Sequence, residues 1–240
     1  MFIDDVHDPV IGEDDRHHLA RVLRLRPGQI VTIASGEVGG SVGWWRRTEV
    51  PPEGLLNGGG RLIPIGEVQR IERHAMRTIG LALTKGDRLD WAVQKVTELG
   101  IDRIVLIAAE HSVVRWDDDR APRHRERLTA VSRAASMQSR QVFRTEVIGP
   151  LSLADSLPVV GVPPDVAVAD VSAAAALGSA DGGGAVRGVL IGPEGGFSAA
   201  ELAATAAYGA PRVLLPGGVL RAETAAVVAA ALLVASRCAI

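Results

Sequence analysis

Residues 189–202 read Val-Leu-Ile-Gly-Pro-Glu-Gly-Gly-Phe-Ser-Ala-Ala-Glu-Leu. Three apolar residues run into a loop with three glycines and a proline, and Ser198 and Glu201 then stand at capping-box spacing ahead of Leu202. The stretch therefore predicts a buried strand, a glycine-rich turn and a helix start. Glycines there let main-chain groups approach a ligand closely, and ligands of open α/β sheets sit at the carboxyl ends of strands. The pattern is neither GxGxxG nor GxxxxGK[ST], so the usual phosphate-cradle fingerprints are absent. A similar passage follows at 213–224, where Val213-Leu214-Leu215 leads through Pro216-Gly217-Gly218 to Val219-Leu220-Arg221-Ala222-Glu223-Thr224. The decisive expectation is that these two turns wall one pocket.

Working outward, residues from about 73 onward alternate apolar runs with helical periodicity. Strands are predicted at Ile79–Leu83, Ile104–Ala108, Val166–Ala169, Val189–Ile191 and Val213–Leu215, and helices at Leu89–Leu99, Pro122–Ser139 and Glu223–Arg237. Continuous apolar strands between helices imply a parallel sheet covered on both faces. Residues 1 to about 72 differ. They hold strand patterns at Gln29–Ile33 and Gly66–Ile71, a helix pattern at Asp14–Leu25 that includes Leu19, Val22 and Leu23, and a Gly- and Pro-rich stretch from Ser35 to Gly60. This is a small, mostly β module, with the boundary expected between Ile71 and Arg77.

The chain has 240 residues, 26 basic and 28 acidic, for a net charge of −2. A generally basic nucleic-acid binder is excluded, so any such contact needs a local patch. Arginine dominates, with 24 Arg against Lys85 and Lys95. Residues 115–144 carry eight arginines against four acids, Asp117, Asp118, Asp119 and Glu126. That segment reads either as a solvated helix face or as a phosphate-contacting surface. A second Arg- and His-rich stretch spans Arg16 to Arg26. Neighbours such as His17 and His18 point about 100° apart on a helix, so a metal site is not expected. The single cysteine, Cys238, supports no intrachain disulfide. The longest apolar run, Ala225–Ala235, is too short for the roughly 20 residues a bilayer needs, so a cytoplasmic protein without membrane contact is expected.

Six segments carry a family resemblance: 17–29, 85–101, 111–116 (His-Ser-Val-Val-Arg-Trp), 136–140 (Ser-Met-Gln-Ser-Arg), 191–202 and 219–224. In this order the chain resembles the 16S ribosomal RNA uracil-N3 methyltransferases, the RsmE type of the SPOUT superfamily. The resemblance implies an α/β fold: a C-terminal SPOUT domain with a deep trefoil knot over 73–240, preceded by a PUA-like β-barrel RNA-binding domain over 1–72. It implies a homodimer, S-adenosylmethionine as methyl donor, no metal, and a uridine of 16S rRNA in the small ribosomal subunit as substrate (uridine 1498 in the family).

By the same resemblance the donor would be held by Ala169, Asp170, Leu190, Ile191, Gly192, Glu194, Gly195, Gly196, Leu215, Pro216, Gly217, Val219, Leu220 and Thr224. Arg221 and Glu223 would be catalytic. His17, His18, Arg21, Arg24, Arg115, Arg133, Gln138 and Arg140 would hold the RNA. Pro216-Gly217-Gly218 stands where the family carries Gly-Pro-Arg, and Ala222 replaces a Thr. Other readings are a SPOUT enzyme for another rRNA or tRNA nucleotide, and a non-catalytic RNA-binding assembly factor.

Overall fold

The computed structural model describes residues 1–22, 24–117, 119–179 and 186–236. Of the residues named above, Leu23, Asp118, Arg237 and Cys238, with the side chains of Asp14, His18 and Val22, lie outside the described set. The chain divides into two compact units, one of residues 1–74 with 136–144, the other of residues 75–135 with 145–240.

The first unit is built on an antiparallel sheet of β1 (Ile30–Gly36), β2 (Val42–Glu49) and β3 (Ile63–Glu72), in that order. The Gly- and Pro-rich stretch from Ser35 to Gly60 thus supplies the central strand and a short helix, α2 (Gly54–Asn57). The predicted helix at 14–25 is shorter and irregular. It comprises α1 (Glu13–His17) followed by a π-helical turn (His18–Val22). The N-terminal strand segment bridges Phe2 to Ala34, and Val6, Ile11, Leu19, Ile33, Val50, Leu55 and Leu62 form the core.

Segment 136–144 joins this unit although it is remote in sequence. Gly36 and Gly43 face each other across β1 and β2. A Cβ on Gly36 would meet the Val142 carbonyl at 2.5 Å, and one on Gly43 would meet Val142 Cγ1 at 2.7 Å and the Phe143 ring at 2.9 Å. The paired glycines are the space into which Val142 and Phe143 fit. Arg73 covers the Phe143 ring at 4.2 Å.

The second unit is a six-stranded sheet in the order β6-β5-β4-β8-β7-β9, with β4 (Thr78–Ala82), β5 (Arg103–Ile107), β6 (Glu146–Leu151), β7 (Val166–Ala169), β8 (Gly188–Ile191) and β9 (Arg212–Val213). All its pairings are parallel. Helices α3 (Arg88–Glu98), α4 (Ala121–Gln138), α5 (Leu153–Val160), α6 (Ala199–Tyr208) and α7 (Ala222–Ala235) complete it.

The strand period of two sorts side chains between two cores. Ile79, Leu81, Val189 and Ile191 meet α3, α4 and α7 on one face, through residues such as Val93, Leu128 and Ala226. Ala82, Val105, Ile107 and Leu190 meet α5 and Phe197 on the other. The Ala-rich α7 buries Leu233 together with Ala222, Ala225, Ala226, Ala229 and Ala230, whose small side chains let it lie close to the sheet. Among the described residues no helix is long and apolar enough to cross a membrane, and no cluster of three His, Cys, Asp or Glu is placed to hold a metal ion.

Candidate active site

The chain runs from β4 outward to β5 and β6, then crosses to build β7, β8 and β9 on the other side. Three neighbouring strands, β8, β7 and β9, consequently present their carboxyl ends side by side, and the three loops leaving them enclose a cavity of about 360 Å³. The loop after β7 is tied to the end of β9 by main-chain hydrogen bonds. Asp170 N–H donates to Val213 O (3.0 Å), Leu214 N–H to Ala175 O (2.8 Å) and Leu177 N–H to Leu214 O (2.9 Å). The loop after β8 leads into the capping box of α6. The Ser198 hydroxyl accepts from the Glu201 amide, and Glu201 Oε2 accepts from the Ser198 amide at 2.8 Å.

Glu201 does more than cap. Its Oε1 accepts from the Glu110 amide at 2.9 Å, and His111 Nδ1 contacts Gly196 O at 3.2 Å. The His111–Trp116 stretch is thereby fastened to the glycine loop. Next to it a second cavity of about 540 Å³, bounded by Arg115, Trp116, Ser152 and Glu201, opens beyond β5 and β6.

The first cavity brings both glycine-bearing turns together. Of the residues selected from the sequence, Ala169, Asp170, Ile191, Gly192, Glu194, Gly195, Gly196, Leu215, Val219 and Leu220 line it. Leu190 is not among them, because alternation along β8 turns it into the opposite core, where it is fully buried. Pro216, Gly217 and Thr224 are exposed and do not line it either. Val171, Pro193, Phe197, Leu202, Leu214, Gly218, Ala222 and Ala225 line it as well and are not among the residues selected from the sequence.

Charge distinguishes this cavity. Asp170 and Glu194 line it, and no Lys, Arg or His is among its described lining residues. Burial opposes ionisation of Asp170. Hydrogen bonds from the Ser172 amide (2.7 Å) and hydroxyl (2.8 Å) and the charge of Arg212 outweigh it, and they hold the carboxyl below the usual carboxylate range. The rest of the wall is glycine backbone and apolar side chains. Both carboxylates are paired with arginines that stand outside the lining, Asp170 with Arg212 at 3.3 Å and Glu194 with Arg88 at 3.2 Å, so what the wall chiefly offers a ligand is glycine backbone and apolar surface.

Glu223, at the start of α7, is 8% exposed, and its Oε2 is buried without a hydrogen-bond partner. Its cationic neighbour is Arg88, whose Nε lies 3.7 Å from Oε1, while Arg88 Nη1 lies 3.2 Å from Glu194 Oε1. Glu223 therefore pairs with Arg88 rather than with Arg221 on the surface. Arg221 is exposed at the N-cap of α7, between the lining residues Leu220 and Ala222, and makes no capping bond with its side chain. Nothing in the composition or periodicity of 85–101 marks Arg88. It opens an amphipathic helix as any exposed arginine might.

The proposed RNA contacts fall in both units. His17, Arg21, Arg24, Gln138 and Arg140 are exposed in the first, and Arg115 and Arg133 in the second. Arg140 adopts a left-handed backbone (φ 58°), uncommon for a non-glycine residue.

Residues 72–234 match the model of the RNA methyltransferase domain family, and residues 11–39 match that of the RNA methyltransferase PUA domain. The chain is 33% identical to ribosomal RNA small subunit methyltransferase E of Mycobacterium bovis, over 92% of this chain and 83% of the relative. It is 32% identical to the Bacillus subtilis protein of the same name, over 61% of this chain and 60% of the relative. Among solved structures, ribosomal RNA small subunit methyltransferase E from Neisseria gonorrhoeae bound to S-adenosylmethionine superposes with a TM-score of 0.76 at 21% identity. The match covers 96% of this chain and 94% of that one. A Legionella pneumophila structure, described as a methyltransferase in complex with the cofactor, gives 0.80 at 21% identity over 98% and 96%. At these identities the superpositions establish a shared fold.

Proposed function

Because the chain belongs to the RNA methyltransferase domain family, within the ribosomal RNA small subunit methyltransferase E group, we propose that it methylates N3 of a uridine in 16S rRNA with S-adenosylmethionine as donor. The family target, uridine 1498, is the expected nucleotide. The observation that carries this reading is the character of the cavity: three strand-end loops bring glycine backbone and apolar side chains around one space. A nucleoside sulfonium would be held there by glycine backbone and apolar side chains, with Asp170 and Glu194 as the acidic groups of the lining. When bound, the donor supplies a methyl group already activated on sulfur.

The chain's own residues have the remaining work. Uracil N3 carries a proton between two carbonyls, and the neutral ring is a poor nucleophile, so that proton must leave as attack proceeds. Glu223, in the first turn of α7 between the lining residues Ala222 and Ala225, is the preferred acceptor; Glu194, which lines the cavity, is the second choice. Arg221, exposed beside the cavity, would stabilise negative charge developing on a uracil carbonyl. The base must leave its stack to reach the site. His17, His18, Arg21, Arg24, Arg115, Arg133, Gln138 and Arg140 are assigned to holding the RNA. A barrel form of the first unit, a trefoil threading of the second and a homodimer belong to the same proposal.

The test is incubation of the protein with unmodified small ribosomal subunits and labelled S-adenosylmethionine, followed by mapping of the labelled nucleotide. Label on one 16S uridine at N3 supports the reading. Label on a different base, or none, refutes it.

A further inference from the structure

Arg88 is the first residue of α3, and it meets the site from outside the three loops that form it. Its guanidinium reaches two carboxylates that arrive from different walls. Nη1 lies 3.2 Å from Glu194, in the loop after β8, and Nε lies 3.7 Å from Glu223, in the first turn of α7. The two acids are unequal. Glu194 has a side chain 41% exposed, so water can solvate it without help. The Glu223 side chain is 10% exposed, and one of its oxygens has no hydrogen-bond partner. A carboxylate removed from water needs a cation close by. Among the described residues Arg88 is the ion-pair partner of Glu223.

We propose that Arg88 is a positioning residue for methyl transfer. It holds Oε1 of Glu223 by charge and so keeps at the start of α7, next to the lining residue Ala222, the carboxylate that accepts the imide proton of the uracil. This rests on the reading of the chain as a uracil-N3 methyltransferase. The proton passes from N3 to Glu223 as the N3–methyl bond forms and the sulfur–methyl bond breaks, with the sulfur keeping the bonding pair. Arg88 touches neither ligand and acts through Glu223. Its grip on Glu194 has a second effect: one planar cation bridges the glycine loop and α7, and its fork geometry suits two acceptors better than the point charge of a lysine.

A charge argument separates this role from plain structural support. Removing Arg88 makes the site more negative, so a cationic donor should bind as well as before or more tightly. A wall that merely collapsed would bind it worse.

The experiment uses the full chain and small ribosomal subunits. Arg88→Met and Arg88→Lys are compared with wild type for donor affinity by calorimetry, for single-turnover methylation and for thermal midpoint. For Arg88→Met the expected result is a methyl-transfer rate lower by about tenfold or more, with a donor dissociation constant unchanged or lower. Arg88→Lys should recover part of the rate. In a Glu223→Gln background, removing Arg88 should lower the rate no further, since residues acting as a unit are non-additive.

Equal rates for wild type and Arg88→Met would overturn the proposal alone, as would rate and donor affinity falling together or an undiminished effect in the Glu223→Gln background. A wild-type protein that leaves N3 of uridine unmethylated would overturn the underlying reading and this proposal with it. If Arg88→Met does not fold, Arg88→Lys carries the test, and wild-type rates from it would refute the two-carboxylate anchor.

Discussion

Replacing Glu201 with Gln removes one of two acceptors while preserving shape. In the native protein Oε2 takes the Ser198 amide at 2.8 Å and Oε1 takes the Glu110 amide at 2.9 Å. A glutamine offers one carbonyl oxygen and one NH2, so one of those two amides must face a donor. The Ser198 amide is part-buried and belongs to the capping box, so the glutamine oxygen should go there and leave Glu110 unpartnered. Hydrogen bonds to charged groups contribute about 1.5–3 kcal/mol each. The Glu110 amide is exposed to competing water, which places its loss at the low end, about 1.5 kcal/mol. For a chain of this size that corresponds to a midpoint lowered by about 3–6 °C. Glu201→Ala loses both side-chain bonds, keeps the Ser198 hydroxyl as N-cap, and should fall by about twice as much. The assay is thermal unfolding together with amide exchange. In Glu201→Gln the Glu110 amide should lose protection while that of Ser198 keeps it. An unchanged midpoint, or a protected Glu110 amide, would refute the assignment of Glu201 as the tie between the 108–116 stretch and the glycine loop.

Gly43→Ala should destabilise the first unit by about 1–3 kcal/mol in denaturant titration, through overpacking against Val142 and Phe143. Gly36→Ala should cost more, because its obstacle is the Val142 carbonyl rather than side chains that can give; the reverse order would contradict the geometry. The Asp170 carboxyl lies below its ordinary range in the folded chain, so its stabilising contribution is complete above the unfolded value. It is lost as pH falls through the lowered folded one. Asp170→Asn should therefore flatten part of the decline in unfolding midpoint on the acid side of about pH 4, and an unaltered pH profile would count against it. Arg221→Ala should reduce single-turnover methylation by about a hundredfold or more with little change in donor affinity, since its assigned role is confined to the transition state. Unchanged turnover would remove Arg221 from the mechanism.

Much of the second unit is legible in the sequence. The runs at Ile79, Ile104, Val166 and Val189 are β4, β5, β7 and β8, and the Ser198–Glu201 spacing is a formed capping box. Their signals are local, carried by unbroken apolar residues or by one side chain reaching its own helix. β6 and α5 are masked in the sequence pattern because each carries a breaker, Pro150 at the end of the strand and Pro158 inside the helix. β2 was hidden by the glycines and prolines around it, and two of those glycines, Gly36 and Gly43, have their reason in Val142 and Phe143, about a hundred residues further along the chain.

What the amino-acid order determined by itself was the unbroken apolar strands β4, β5, β7 and β8, the cap on α6 and the glycine-bearing loops that follow β8 and β9. These follow from sterics and hydrogen bonds acting over a few neighbouring residues. Only the tertiary structure decided that Leu190 points away from the cavity that Ile191 lines, that the second oxygen of Glu201 holds Glu110, and that Arg88 rather than Arg221 faces Glu223. Those outcomes depend on a sheet that sets β8 between β4 and β7, and so gathers the starts of α3 and α7 and the loop after β8 around one charge. Ion pairing acts through space, and the linear order of residues carries no record of which distant charges will meet.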